Sequence, residues 1–441
     1  MSASLTFVGA AGTVTGSKFL LQSSRSTVLV DAGLFQGLRE LRRRNWAPFP
    51  VDPSVLDAVV LSHAHLDHSG YLPALGRQGL SAPVFASEGT RRLGELVLRD
   101  SARLQEEDAQ YATRKGFSKH ARPRPLYDTA DVERVLPLIK PIAFGQRTAI
   151  ASDAQLTLQP AGHILGSASP LVEIAGRRVL FSGDLGRVGH PILLPPPAPP
   201  AADVVVVEST YGDRSHASDA TQRLARVIRD TQARGGSILI PAFAVDRTEV
   251  LLLALRQMRL SGLIPPIPVY VDSPMALGAL QIYRQAIAEG WPEIRPDIAG
   301  GEQAFDAGEI HQARSVADSM AINDLRRPII IVSASGMATG GRVVHHLEHM
   351  LPNPRHNRGP ARLPGRRHAG AGPGRGRDPR EDPRRVGPRP GAGRGGRGLL
   401  RPRGRRRAHR LAVQGGCAAS DDVRRARRAR SLGGPRGEDR R

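Results

Sequence analysis

The stretch Ser62-His63-Ala64-His65-Leu66-Asp67-His68-Ser69-Gly70 places three imidazoles and a carboxylate within six consecutive positions. It follows the apolar run Leu56-Asp57-Ala58-Val59-Val60-Leu61, whose length and branching predict a buried strand. In extended backbone His63 and His65 point to the same side, because side chains alternate along a strand. Asp67 and His68 follow on the turn, within reach of a second point. Neutral imidazole nitrogens and carboxylate oxygens suit zinc, and a set without sulfur leaves room for water on the metal.

Charge is unevenly spread along the 441 residues. The formal net charge is +22, but residues 355–441 hold 27 arginines against 7 carboxylates, a net of +20 that leaves +2 for residues 1–354. The basic character therefore belongs to the tail. The single cysteine, Cys417, lies in that tail, so residues 1–354 hold neither a disulfide framework nor a thiolate zinc site. The N-terminal residues lack the basic and apolar regions of a signal peptide, and no apolar run reaches membrane-spanning length. A cytoplasmic protein is the expectation.

Outward from the histidine-rich stretch, strands repeatedly end at a residue able to ligate a metal. Thr27–Val30 runs into Asp31, Leu156–Pro160 leads to Gly162-His163, and Arg178–Ser182 leads to Gly183-Asp184. A rigid sheet that presents polar groups on its loops is the usual scaffold of a site. Pro195–Pro200, five prolines and an alanine, reads as a stiff connector. Beyond it, the strand-like runs Val204–Glu208, Ile238–Ile240, Val269–Asp272 and Ile329–Val332 alternate with helical stretches such as Thr248–Leu260 and Met275–Glu289. That alternation predicts a second, parallel α/β module. The expected division is 1–200, 201–354, and an Arg/Gly/Pro-rich disordered tail over 355–441.

The succession Asp31, His63/His65/Asp67/His68, His163 and Asp184 resembles the metallo-β-lactamase superfamily. Within it, Glu208-Ser209-Thr210-Tyr211-Gly212-Asp213-Arg214, Pro241–Glu249 and Ser335-Gly336-Met337-Ala338-Thr339-Gly340-Gly341-Arg342 resemble the β-CASP RNA nucleases. The likeness covers about residues 5–354. It implies an αββα sandwich with an inserted α/β β-CASP domain, and a nuclease that uses two zinc ions. His63, His65 and His163 would hold one ion, Asp67 and His68 the second, and Asp184 would bridge them. Ions roughly 3.5–4 Å apart can share a hydroxide and clamp both oxygens of an in-line phosphodiester displacement. By the same likeness Asp31 orients a ligand imidazole, with a strand-end cap as the rival reading, and Glu208 supports a hydrogen-bond network beside the metals. Ser335 and Gly336 lie between the strand Ile329–Val332 and a helix expected to start near Gly341, where backbone N–H groups favour phosphate, and Arg342 at that helix start and Arg247 after the strand Ile238–Ile240 could grip neighbouring phosphates. A structural glycine turn with surface arginines is the alternative for that group. His345, His346 and His349 read as helix surface or packing residues. The acidic face of Arg99–Tyr111, with Glu106, Glu107 and Asp108, is either a covering helix or simply solvated.

Members of the family continue beyond this point into further strands of the first domain, with Ser-Ala-His and His-Gly-Glu elements. These supply the leaving-group acid and the last ligand of the second zinc. Neither element occurs here, and His409 lacks their setting. The sandwich is thus expected to lack its C-terminal portion, the second zinc site to lack a ligand, and nuclease activity to be impaired. Two rival functions stand beside the ribonuclease: a non-catalytic zinc- and RNA-binding protein whose arginine-rich tail grips phosphates, and a small-molecule (thio)ester hydrolase on the same fold. RNA is the expected partner, a membrane is not, and a homodimer is left open.

The tail's composition has a specific explanation. Arg, Gly, Pro and Ala have GC-rich codons, and Asn357-Arg358-Gly359-Pro360 read one base over can encode Thr-Val-Val-Leu, a buried strand where the family has one. Resequencing codons 350–360 is expected to reveal a shifted frame. An intact frame encoding the present tail in several independent clones would overturn this.

Overall fold

The structure, a computed structural model, describes residues 2–116, 123–210, 219–301, 303–334 and 341–358. All of them fall within one compact unit, Met1–Gly374. Ser335 and Gly336 lie outside the described residues, as does the tail beyond Arg358.

Three sheets carry the architecture. The first has strands β1 (Ser4–Phe7), β2 (Phe19–Gln22), β3 (Thr27–Val30), β4 (Ala58–Val60), β5 (Val84–Ala86) and β6 (Ile139–Pro141), in that spatial order. The second is formed by β7 (Arg147–Ala151), β8 (Ala154–Pro160), β9 (Ala168–Ile174), β10 (Arg177–Phe181) and β11 (Val204–Val206). The third contains β12 (Ile238–Pro241), β13 (Val269–Asp272), β14 (Ile310–Gln312), β15 (Ile330–Ser333) and β16 (Asn357–Arg358), in the order β14-β13-β15-β12-β16, with all pairs parallel. The helices are α1 (Arg39–Arg44), α2 (Leu66–Ser69), α3 (Leu72–Arg77), α4 (Glu88–Lys115), α5 (Thr129–Val135), α6 (Ala220–Ala233), α7 (Arg247–Leu260), α8 (Pro274–Ala288), α9 (Val316–Ile322) and α10 (Arg342–Met350).

Alternation along the strands decides the layering. Val28, Val30, Ala58 and Val60 face Leu156, Leu158, Val172 and Phe181 of the second sheet. Their neighbours Leu29 and Val59 point the other way, against Leu72 and Leu75 of α3, Leu98 of α4 and Val132 of α5. The third sheet repeats the device. Ile238, Ile240, Ile330 and Val332 pack with α7 and α8, whereas Leu239 and Ile331 pack with Ile322, Val343 and Met350 on the opposite face. Helix α4 joins the two modules, because Leu93 and Val97 enter the same core as Leu277 and Leu280 of α8. A Cβ on Gly278 would stand 2.9 Å from the Leu96 side chain, so this helix pair packs closely at a residue that has no side chain.

Two boundaries differ from the sequence reading. The run Val204–Val206 pairs in parallel with β10 and belongs to the second sheet, so the first module extends past the prolines and the break at 200 falls too early. A short apolar run carries no local signal of which sheet it will join. At the other end, Asn357 and Arg358 pair with Ile238 and Leu239, and His356 Nδ1 accepts a hydrogen bond from the Ser237 N–H at 2.9 Å. The described structure therefore runs past residue 354, where Asn357 and Arg358 form a two-residue strand at the edge of the third sheet.

Lys18 is buried beside the motif. Its ammonium donates to the Gly33 carbonyl and lies 4.4 and 4.9 Å from the ring centres of Phe35 and Tyr71. Burial pushes its pKa down to about 7, against the pull of Asp31. Between that value and about 10.4, the unfolded chain binds a proton that the folded chain does not, so this group adds stability as pH rises. Urea denaturation of wild type and Lys18→Met at pH 7 and about pH 9.5 should show the balance moving toward wild type at the higher pH. Parallel pH dependences would refute the assignment.

Candidate metal centre

The backbone around the motif is woven into the sheet before any side chain acts. The amides of Ala32 and Leu34 donate to the carbonyls of His68 and Leu66, and Ser17 N–H donates to the carbonyl of Asp67, at 2.7–2.9 Å. Ala168 N–H, at the start of β9, donates to the Ser62 carbonyl at 2.8 Å. His65 sits in extended backbone as the residue that precedes α2, so Asp67 and His68 fall in that helix's single turn.

The loop bearing His163 is set from three directions. Its own Ser167 hydroxyl accepts from the amides of His163 and Ile164 at 2.9 and 3.2 Å. From the start of α4, Ser87 and Thr90 donate their hydroxyls to the Gly166 carbonyl at 2.5 and 2.8 Å. The approach is so close that a Cβ on Gly166, whose φ is +77°, would lie 2.2 Å from the Thr90 nitrogen, so glycine is required. From the second module, Tyr283 Oη accepts from Leu165 N–H.

Four side chains converge as a result. His63 Nε2 and His163 Nε2 each lie within 3.2 Å of His65 Nδ1, and Asp184 Oδ2 lies 3.5 Å from His163 Nε2. One donor atom from each of His63, His65, His163 and Asp184 falls within 4.8 Å of all the others. A tetrahedral divalent ion with metal–nitrogen bonds of about 2.05 Å sets its ligand nitrogens about 3.3 Å apart. The spacings of 3.1, 3.2 and 3.5 Å lie near that value, and the group can hold a metal ion. Burial holds the His63 imidazole well below its ordinary pKa, and the neighbouring imidazoles act in the same direction. The neutral ring is the form that binds metal.

His68 and Asp67 stand beside this group. His68 Nδ1 lies 2.7 Å from Asp31 Oδ2, and its Nε2 faces Asp184 Oδ1 at 3.3 Å. The two oxygens of Asp184 thus face different histidines. Burial alone would lower the His68 pKa, but the carboxylates of Asp31 and Asp184 on either side raise it well above the ordinary value. Burial by itself would raise Asp184, and His68 and His163 instead hold it well below the usual carboxylate range. Asp67 is half-buried on α2.

Asp31 is buried at φ +59°, an uncommon conformation for a residue with a Cβ. Its carboxylate accepts from Ser17 Oγ at 2.9 Å, Ser62 N–H at 2.8 Å and Ser62 Oγ at 3.1 Å, in addition to its contact with His68. Glu208 accepts from the Leu185 N–H, directly after Asp184, at 2.8 Å, and its own amide donates to Ser182 Oγ. Arg247 opens α7. Arg342 departs from the phosphate reading: it donates to Asp272 Oδ1 at 2.7 Å and to the carbonyls of Ala313 and Arg314. The same Asp272 accepts from Ser319 and meets His346 Nε2 at 2.7 Å, so His346 is a buried member of a polar network. Sequence reasoning passed over Ser17, Lys18, Ser62, His190, Asp246 and Tyr283. Asp246 carried a signal, since it immediately precedes a helix inside a quoted motif.

Comparison with known proteins supplies context. Residues 12–230 match the metallo-beta-lactamase superfamily and residues 248–357 the Beta-Casp domain. Ribonuclease TTHA0252 of Thermus thermophilus is 36% identical over 349 residues, covering 79% of this chain and 76% of that protein. Transcription termination factor FttA of Pyrococcus abyssi is 30% identical over 374 residues, covering 80% of this chain and 55% of the factor, so the chain spans about half of that relative's length. The RNase J-like protein of Methanocaldococcus jannaschii is 28% identical over 340 residues, covering 76% and 72%.

Asp31→Ala would strand buried donors on Ser17, Ser62 and His68 together. Denaturant unfolding of this variant should show a loss of about 3 kcal/mol. A loss below about 1 kcal/mol would mean these groups find other partners.

Proposed function

This chain belongs to the metallo-β-lactamase superfamily and carries a β-CASP domain, and we propose that it is a zinc-dependent ribonuclease that hydrolyses RNA phosphodiester bonds in the cytoplasm. The observation that carries the proposal is the convergence of His63, His65, His163 and Asp184 at strand ends beside a β-CASP module. The name of the 36% identical relative supports RNA as substrate. No described helix is long and apolar enough to cross a membrane.

His63, His65 and His163 would hold the first zinc ion, Asp67 and His68 the second, with Asp184 between them. Bound there, zinc supplies an activated water and draws charge from a phosphate oxygen. The protein's own residues set the stage for that chemistry. Asp31 fixes the His68 ring so that Nε2 faces Asp184, as carboxylates behind metal-binding histidines do. Glu208 holds the loop after Asp184 through the Leu185 amide. Arg247, at the start of α7, and Ser335 and Gly336 are assigned to the phosphate backbone of RNA; Arg342 is reassigned to structure, because it donates three hydrogen bonds to Asp272 and two carbonyls. In the reaction a water oxygen bonds to phosphorus, a bridging P–O bond breaks, and the leaving oxygen takes up a proton.

With Asp67, His68 and Asp184 as its assigned ligands, the second position has one imidazole where the first has three, so we expect one ion held tightly, the second weakly, and low turnover. Metal analysis of purified protein should find close to one zinc per chain, and labelled RNA should be cut slowly. Cleavage should stop with a chelator and with the Asp67→Ala/His68→Ala double variant. Two zinc ions with full turnover would refute the incomplete second position. RNA loss that survives chelation would remove the metal mechanism, and RNA retention without any cleavage would favour a binding protein.

A further inference from the structure

A buried hydrogen-bonded chain runs from the second module to the His163 loop, and none of the roles above uses it. Tyr283 on α8 is fully buried; its hydroxyl accepts from Leu165 N–H at 3.0 Å and donates to Asp246 Oδ1 at 3.2 Å. Asp246 is buried as well, and its two oxygens lie 3.1 and 3.3 Å from His190 Nε2. His190 Nδ1 accepts from the amides of Ile192 and Leu193 at 3.2 and 3.0 Å. Those two bonds leave Nδ1 without a proton, so Nε2 carries it and donates to Asp246. One carboxylate thus receives two buried donors, one from each module, and an aspartate has the two oxygens needed to satisfy both.

The backbone at Asp246 points the same way. Its φ and ψ are +69° and −48°, and Arg247 N–H donates back to the Val245 carbonyl at 2.9 Å. This is the rarer, positive-φ γ-turn, which costs free energy for any residue with a Cβ. Such a turn persists where the surroundings hold it, and here the carboxylate is held by His190 and Tyr283. Burial would raise the pKa of Asp246, but His190 keeps it well below the usual range, so the acceptor stays ionised.

We infer that Asp246 is a positioning residue: acting through Tyr283 and His190, it fixes from the second module the loop that carries His163 and the segment that follows Asp184. The inference rests on the reading that these two residues hold metal. Leu165 lies two residues from His163 and His190 six from Asp184, so both loops are anchored to one carboxylate. The second module then serves as a clamp on the geometry of the metal centre, in addition to any part it takes in binding RNA.

The sharpest variant is Asp246→Asn, which keeps the shape but leaves one oxygen for two donors. Tyr283→Phe removes the link to Leu165 and keeps the ring. Leu251→Ala on α7, fully buried in the same core, controls for lost stability alone. The full chain is loaded with Co(II), its visible spectrum is recorded, and its metal affinity is measured by chelator competition. Amide exchange at residues 163–166 is followed in the metal-free protein. Asp246→Asn and Tyr283→Phe are expected to shift the Co(II) bands, to weaken affinity roughly tenfold and to speed exchange at the loop. Leu251→Ala, with an equal or larger fall in Tm, should leave spectrum and affinity as in wild type. Wild-type spectra and affinity in both linker variants, or the same changes in Leu251→Ala, would overturn the inference while leaving the metal centre in place. Wild type that takes up no Co(II) would remove the metal reading and this inference with it.

Discussion

The packing of His65 Nδ1 at 3.1 and 3.2 Å from the Nε2 atoms of His63 and His163, in a largely buried site, is the constraint around which this fold is arranged. Burial, with the neighbouring imidazoles acting in the same direction, keeps the His63 ring neutral inside the group. Such a cluster survives because rigid elements hold it. His63 and His65 follow the central strand β4, His163 lies between β8 and β9, and Asp184 follows β10. Both sheets of the sandwich must pack correctly before the group exists.

The surrounding polar network follows from that need. Asp31 gathers donors from Ser17, Ser62 and His68, so a buried carboxylate is satisfied and a ring is aimed in the same act. On the other side, the hydroxyls of Ser87 and Thr90 grip the Gly166 carbonyl at the start of α4. Because α4 also packs on α8, the His163 loop touches both modules through one helix. The chain from Tyr283 through Asp246 to His190 adds a second, wholly polar tie between the same parts. Apolar packing resists separation of the modules, whereas the directional bonds set how they are registered.

The third sheet shows how a charged residue is diverted from a surface role. Asp272 is fully buried at the end of β13 and needs donors; Arg342, Ser319 and His346 supply them. A guanidinium that donates to a buried carboxylate and two carbonyls is oriented by the protein's own acceptors. The cost of leaving Asp272 unpaired keeps it there.

The sequence by itself determined which imidazoles and carboxylates stand at strand ends, the strand-then-turn setting of each, and the alternation of strands and helices beyond the prolines, because these are local: alternation, apolar run length and residue type are written in neighbouring positions. Tertiary structure alone decided which distant pieces meet. It brought His163 to His65, set Asp246 against His190 and Tyr283, gave Arg342 to Asp272, and placed Val204–Val206 in the second sheet. Contacts between residues tens of positions apart leave no periodic trace in the chain, and whether a buried donor is free for substrate depends on which acceptor the fold has already brought to it.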